Sequence, residues 1–372
     1  MSKKCNIAVI PGDGIGPEIT SSAIEVLEAA VKGRDIEIFT RELLAGGAAI
    51  DRYGIPLPQE TISGAMDSDA VLLGAVGGPK WDDVEPDIRP ERALLGLRAG
   101  LGLYANIRPA VVYDELIAAS PLKNPGKIDF IIVRELTGGI YFGKNGIYQS
   151  GDRLSDGTVK GKIAFDTESY SEGEINRILK IAFDLAMKRR KKLTLVDKAN
   201  VLTTSRMWRT LASQMSFDYP EVEFDCLYID NAAMQLISRP STFDVIVTSN
   251  LFGDILSDEA GQIVGSIGML PSASIGVQGK PGMFEPIHGS APDIAGQNKA
   301  NPLGAILSVA MMMRIIFGEE EIASDIENAV KKTLSSGLRT GDITFVGESN
   351  NTTLVGTREI TKAVIDNLSI SN

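Results

Sequence analysis

Apolar residues keep two alternating rhythms along the 372 residues of this chain. Strand-length apolar runs occupy 6–10, 36–40, 70–76, 129–135, 193–196, 224–229 and 245–248. Between them, apolar positions recur at three- and four-residue spacing. In 17–32, Ile19, Ala23, Leu27 and Val31 fall on one face, the pattern of an amphipathic helix. Segments 90–101 and 321–334 also read as helices, the latter ending near Gly337. Ser171 with Glu174 three residues on forms a capping box, which predicts a helix running to about 190. Pro302 suits the first turn of another helix, opening at 301. This alternation predicts an α/β fold with a largely parallel sheet. A chain of this length exceeds what one core usually serves, so two domains are expected. Stretch 143–161 breaks the rhythm: it is polar and glycine-rich, with an Asp156-Gly157 turn between short β-capable runs. It reads as a protruding hairpin, either a surface loop or a contact for a partner chain.

The stretch NLFGDILSDEA, 250–260, has Leu251, Ile255 and Leu256 at helical spacing. A helix there stacks Asp254 and Asp258 on one face, where like charges repel. A divalent cation between them removes the repulsion. Asp230, in YIDNAAMQ, also lies just beyond a strand. Three such carboxylates suit Mg²⁺ or Mn²⁺, with water and substrate completing the shell. The plainer alternative is three unrelated helix caps and surface charges.

Composition narrows the function. At 44% hydrophobic and 23% charged residues, the chain has a globular make-up. A net charge of −11 without a long basic run argues against nucleic acid and anionic membranes as partners. Cys5 and Cys226 form no CxxC pair and no disulfide framework, so a reducing cytoplasm is expected. The N-terminal apolar stretch is too short for a signal peptide, and 303–317 contains Arg314 and is too short to span a bilayer. His288, the single histidine, leaves no room for His-based triads or multi-histidine zinc sites.

Two glycine-rich strand ends, PGDGIGPEI at 11–19 and LLGAVGGP at 72–79, suggest backbone that approaches a ligand. Gly12, Gly14 and Gly16 do not match G-x-G-x-x-G, and a tight strand-to-helix turn is the other reading. Arg98, Arg108 and Arg134 lie near apolar segments. Each needs a partner: either an acid of the chain itself, or a substrate carboxylate gripped by the guanidinium fork. Tyr141, in TGGIYFG, reads as a packed tyrosine from its context alone. Lys198, in VDKAN, ends a strand between Asp197 and Asn200.

The motifs IPGDGIGPEI, LLGAVGGPKWD, RPERALLGLR, LYANIRP, VRELTGGIYFG, VDKANVL, YIDNAAMQL, FGDILSDEA, GMLPSAS and EPIHGSAPDIAG run from end to end. Together they resemble the β-decarboxylating dehydrogenases of the isocitrate/isopropylmalate type. The resemblance implies that family's two-domain twisted α/β fold rather than a true Rossmann domain. It implies a discontinuous cofactor-binding domain, 1–103 and 266–372. A dimerisation and metal/substrate domain, 104–265, would carry a hairpin arm near 143–165. It also implies a homodimer with shared active sites, Lys198 and Asp230 coming from the other subunit.

Through VRELTGGIYFG and RPERALLGLR the resemblance implies (2R,3S)-3-isopropylmalate as the substrate. Its oxidation by NAD⁺ and decarboxylation would give 4-methyl-2-oxopentanoate, in leucine synthesis. By the same resemblance Lys198 is the base or its relay, and Tyr141 protonates the enol carbon. Arg98, Arg108 and Arg134 grip carboxylates, while Glu91, Leu94, Leu95 and Asp230 meet the rest of the substrate. Asp230, Asp254 and Asp258 hold Mg²⁺ or Mn²⁺. Isocitrate enzymes carry a serine and an asparagine where Arg92 and Leu94 stand here, and Leu94-Leu95 offers an apolar wall instead.

The implied cofactor site comprises Ile15, Gly77, Gly78, Pro79, Glu285, His288, Gly289, Ser290, Ala291, Pro292, Asp293 and Asn301. Asp293 would accept hydrogen bonds from ribose hydroxyls and repel a 2′-phosphate, which favours NAD⁺; its other reading is a helix cap. Ser249 stands where the family often has an acid, and Lys144-Asn145-Gly146 departs from many relatives at the start of the hairpin.

Overall fold

The computed structural model describes residues 2–123, 125–344 and 352–369. The chain divides into two compact units, one of 1–131, 239–242 and 257–372, the other of 132–238 and 243–256.

In the first unit, strand Lys3–Gly12 lies parallel between Ile36–Glu42 and Ala70–Ala75. Gly282–Pro286 joins Ala70–Ala75 in parallel. Pro271–Ile275 then runs antiparallel to both Gly282–Pro286 and Ala105–Val111. Every residue of Ala70–Ala75 is buried, which accounts for its unbroken apolar run. Helix Gly16–Val31 buries Ile19, Ala23, Leu27 and Val31, the face read from periodicity. Helix Leu303–Met312 is buried on all sides and packs against Gly16–Val31. Its all-round apolarity belongs to a core helix. Among the described residues no helix is long and apolar enough to cross a membrane. The expected start at 301 is displaced: Asn301 accepts the Leu303 N–H through Oδ1, and Pro302 sits at the cap position.

In the second unit, Val245–Thr248, Lys192–Asp197 and Glu223–Tyr228 lie in that order, and the part of strand Asp129–Glu135 from 132 on lies beside Val245–Thr248. The first three run parallel. Helix Glu172–Met187 starts at the Ser171 capping box, and both of the box's reciprocal hydrogen bonds are present. The polar stretch does form a hairpin, Asn145–Arg153 against Val159–Asp166, and Gly157 takes the positive φ of 86° that its turn needs.

The division does not follow the expected limits of 104 and 265. Residues 104–131 group with the first unit because Ala105–Val111 is laddered to Pro271–Ile275, and Ser120 Oγ donates to the Ile263 carbonyl at 2.7 Å. The second limit falls inside helix Asn250–Ile263.

The PGDG turn is built around a buried carboxylate. Asp13 accepts the backbone N–H groups of Gly47, Ala48 and Gly77, each at 2.8 Å. It thereby ties three glycine-bearing loops together. Burial raises its pKa above the ordinary carboxylate value, against the pull of those three donors.

Candidate active site

Strand Asp129–Glu135 delivers Arg134, whose residue is only 4% exposed. Its Nε and Nη2 donate to Asn250 Oδ1 at 3.1 and 2.8 Å, and Nη1 donates to Asp254 Oδ1. Asn250 and Asp254 are one turn apart on helix Asn250–Ile263. Gly253 lets the arginine stem lie against that helix: a Cβ there would meet Arg134 Cγ at 2.5 Å. The other oxygen of Asp254 accepts from the Tyr141 hydroxyl at 2.8 Å. The guanidinium carbon also stands 5.9 Å from the centroid of the Tyr141 ring. A cation, a carboxylate and a phenol are thus joined in one group.

One expectation changes here. Tyr141 is 48% exposed, so it is not a packed tyrosine. Arg134 pairs with Asp254, an acid of the chain itself. Its neighbour Glu135 is fully buried and accepts the N–H groups of Thr137 and Gly138 at 2.8 and 2.7 Å.

Lys198 follows strand Lys192–Asp197 directly. Asp197 accepts a two-pronged pair from Arg209, at 2.8 and 2.7 Å, and the Ala199 N–H at 2.9 Å. The Lys198 N–H donates to Ser205 Oγ at 3.1 Å. With its backbone so fixed, Lys198 reaches Asp230 Oδ1 through Nζ at 2.7 Å. That hydrogen bond lowers the Asp230 pKa below the ordinary carboxylate value.

In the first unit, Arg108 donates from Nε to Asn106 Oδ1 and from Nη1 to Ser257 Oγ, both at 2.6 Å, with Asp258 Oδ1 3.7 Å from Nη1. Arg98 donates to Glu285 Oε1 at 3.0 Å, while its buried Nε has no partner among the described residues. Helix Glu91–Gly100 carries Glu91 exposed in its first turn. The two leucines of the expected wall differ. Leu94 packs against the core with Leu57 and Val76, whereas Leu95 is 39% exposed.

Among the described residues, no three His, Cys, Asp or Glu side chains gather into a metal site. Asp254 and Asp258 do stand one turn apart on helix Asn250–Ile263. Two carboxylates at that spacing fit Mg²⁺ or Mn²⁺, ions that take few protein oxygens and complete their shells with water and substrate.

A cleft of about 910 Å³ opens in the first unit, lined by Ile15, His288, Gly289, Ala291 and Asn301 of the expected cofactor residues. Buried His288 Nε2 has no partner among the described residues, and burial lowers its pKa, keeping the ring neutral at pH 7. A neutral, unsatisfied imidazole and a largely apolar lining fit a planar, hydrogen-bonding ligand such as a nucleotide base. The glycine turn closes one side. The Ile15 N–H donates to the Ser290 carbonyl at 2.8 Å, and a Cβ at Gly14 would lie 2.0 Å from that oxygen.

Other cofactor residues sit differently. Gly77 donates to Asp13, Glu285 binds Arg98, and Gly78, Pro79, Ser290 and Pro292 do not line the cleft. Asp293 is exposed and outside the lining, and no helix starts there for it to cap. The cleft has a wall that sequence reasoning missed: Ser266, Gly268, Asn298, Asp342, residues 354–356 and Glu359. Asp342 accepts from Ser266 Oγ at 2.6 Å and from Asn301 Nδ2 at 3.0 Å. Its only local signal is a Gly-Asp pair after a two-residue strand.

The isocitrate/isopropylmalate dehydrogenase family model matches residues 6–364. A Clostridium acetobutylicum protein named 3-isopropylmalate dehydrogenase is 56% identical, the match covering 98% of this chain and 100% of that protein. One of the same name from Geobacillus kaustophilus is 55% identical, covering 98% and 97%. The crystal structure of isocitrate dehydrogenase from Methylococcus capsulatus matches with a TM-score of 0.80 at 33% identity, covering 98% of this chain and 99% of that one. That of a β-decarboxylating dehydrogenase from Thermococcus kodakarensis matches at 0.77 and 35% identity, covering 98% and 96%. The chain belongs to the isocitrate/isopropylmalate dehydrogenase family.

Proposed function

We propose that this chain is a 3-isopropylmalate dehydrogenase, oxidising and decarboxylating (2R,3S)-3-isopropylmalate for leucine synthesis. The observation that carries the proposal is the Arg134–Asp254–Tyr141 group. It joins a guanidinium, a carboxylate and a phenol in one hydrogen-bonded set, which supports reading them as a carboxylate-binding cation, a metal ligand and a proton donor. When bound, NAD⁺ accepts the hydride, and Mg²⁺ or Mn²⁺ draws electron density from the substrate oxygens.

The chain's own residues supply the rest. Lys198 takes or relays the hydroxyl proton as hydride leaves the carbon that bears that hydroxyl. The β-carboxylate then departs as CO₂, and its bonding pair is left in an enolate. The Tyr141 hydroxyl gives its proton to the enolate carbon. Arg134, Arg108 and Arg98 hold the substrate carboxylates, Arg98 after exchanging its Glu285 partner. His288, Asn301 and Asp342 face the adenosine part of NAD⁺, and Asp254 with Asp258 provides metal oxygens.

The active sites are shared within a homodimer, where Asp230 and Lys198 serve the partner's site. Exposed Met234, Ile237 and Ile255, with Ile147 and Tyr148 on the hairpin, support this reading as apolar surface needing cover. Mixed dimers of Lys198→Met with Arg134→Met should recover activity, because one site in each keeps both residues. No recovery on mixing would contradict the shared site.

Purified protein with NAD⁺ and Mg²⁺ tests the function. It should release NADH and CO₂ in equal amounts from isopropylmalate. NADH without CO₂, or no NADH at all, would refute it.

A further inference from the structure

We infer that Asn250 is a positioning residue of the reaction, its one side-chain amide setting both the Arg134 guanidinium and the turn that carries Tyr141. The inference rests on the roles proposed above for those two residues. Asn250 opens helix Asn250–Ile263 and is 1% exposed. Its Oδ1 accepts two N–H groups from Arg134, at 3.1 and 2.8 Å. Its Nδ2 donates to the Gly138 carbonyl at 3.2 Å, and its own backbone N–H donates to the Tyr170 hydroxyl at 2.9 Å.

The two ends of the amide do opposite work. The acceptor end must face a guanidinium, which has no acceptor, and the donor end must face a carbonyl. Only one orientation of the amide satisfies both, so the side chain cannot turn without losing both contacts.

Gly138 stands three residues before Tyr141, and its peptide is pinned at both ends. Its N–H donates to Glu135 at 2.7 Å while its carbonyl accepts from Asn250. Tyr170 closes the far side, since Cβ atoms on Gly138 and Gly139 would meet its ring and hydroxyl at 2.6 and 2.4 Å. Asn250 therefore links the cation that grips substrate to the turn presenting the proton donor. A helix-end asparagine that only stabilised the fold would need neither contact.

The test uses the full-length enzyme with isopropylmalate, NAD⁺ and Mg²⁺, and compares Asn250→Ala, Asn250→Asp, Arg134→Met and the Asn250→Ala/Arg134→Met pair. Asn250→Ala loses both contacts and should lower kcat/KM at least about tenfold, with KM raised and kcat lowered, and the KM effect should shrink below about threefold once Arg134 is already Met. Asn250→Asp has nearly the same shape and keeps an acceptor for Arg134, but sets an oxygen against the Gly138 carbonyl. It should hold KM within about threefold of wild type and lose at least about tenfold in kcat.

A KM effect of Asn250→Ala that is the same in both backgrounds, or wild-type kcat in Asn250→Asp, overturns the inference. Arg134→Met with an unchanged KM would instead overturn the role proposed for Arg134, which separates the two failures.

Discussion

Lys198→Met should stop the oxidation step, lowering kcat for isopropylmalate by about 10³-fold, within the range for loss of a positioned base. The strand end holding Lys198 is fixed by Asp197, Arg209 and Ser205, all independent of Nζ. Methionine keeps most of the apolar stem, so the local fold should survive and the melting temperature should stay close to wild type. Rapid mixing with NAD⁺ should show no burst of NADH.

Tyr141→Phe should fail at a different step. It loses only the hydroxyl that bonds Asp254, and the exposed ring keeps its place beside Arg134. The first NADH should form at close to the wild-type rate, while release of the final keto acid slows. The same loss at every step in both mutants would show that the assigned roles are wrong.

Asp254→Asn should remove metal-dependent turnover by at least about a hundredfold, the second large effect. Both oxygens of Asp254 are already in use, one by Arg134 and one by Tyr141. An amide has a single acceptor oxygen, so its NH₂ must face either a guanidinium or a phenol. The variant also removes the negative charge that a divalent cation needs. Arg134 keeps its Asn250 contacts, so the fold should persist with a lowered melting temperature. A titration of Mg²⁺ against turnover checks this. Full activity in Asp254→Asn, or in wild type with excess chelator, would contradict a metal site at this helix.

Much of the fold was legible where one physical rule governs a segment alone. Strand Asp129–Glu135 has the expected limits because burial keeps its central run, 130–133, apolar. The Ser171 capping box is local chemistry between residues three apart. The antiparallel pair Pro271–Ile275 and Gly282–Pro286 was not legible: both strands have only five residues, with proline or glycine at their ends. Helices Gly47–Tyr53 and Gln59–Met66 are about two turns each, too short for periodicity to stand out.

The candidate site divides in the same way. Asp254 and Asp258 stood out by their spacing within one helix. Asn250 lay in the same quoted stretch without drawing notice, because its meaning depends on Arg134, 116 residues away in sequence. Helical spacing put Leu94 and Leu95 on one broad face, yet only the packing of Leu94 against the buried core cluster tells which one turns inward.

That distinction bears on substrate choice. In the proposed reaction, exposed Leu95, three residues before Arg98 on the same helix, would be the side chain to meet a branched apolar substituent. An apolar contact there would favour an isopropyl group and leave the extra carboxylate of isocitrate without a partner. The most direct measurement is kcat/KM for isopropylmalate and for isocitrate, with NAD⁺ and Mg²⁺ on the same enzyme preparation. The expected result is a preference for isopropylmalate of at least about a hundredfold, since a buried unpaired charge is costly. Equal values, or a preference for isocitrate, would contradict the proposed function.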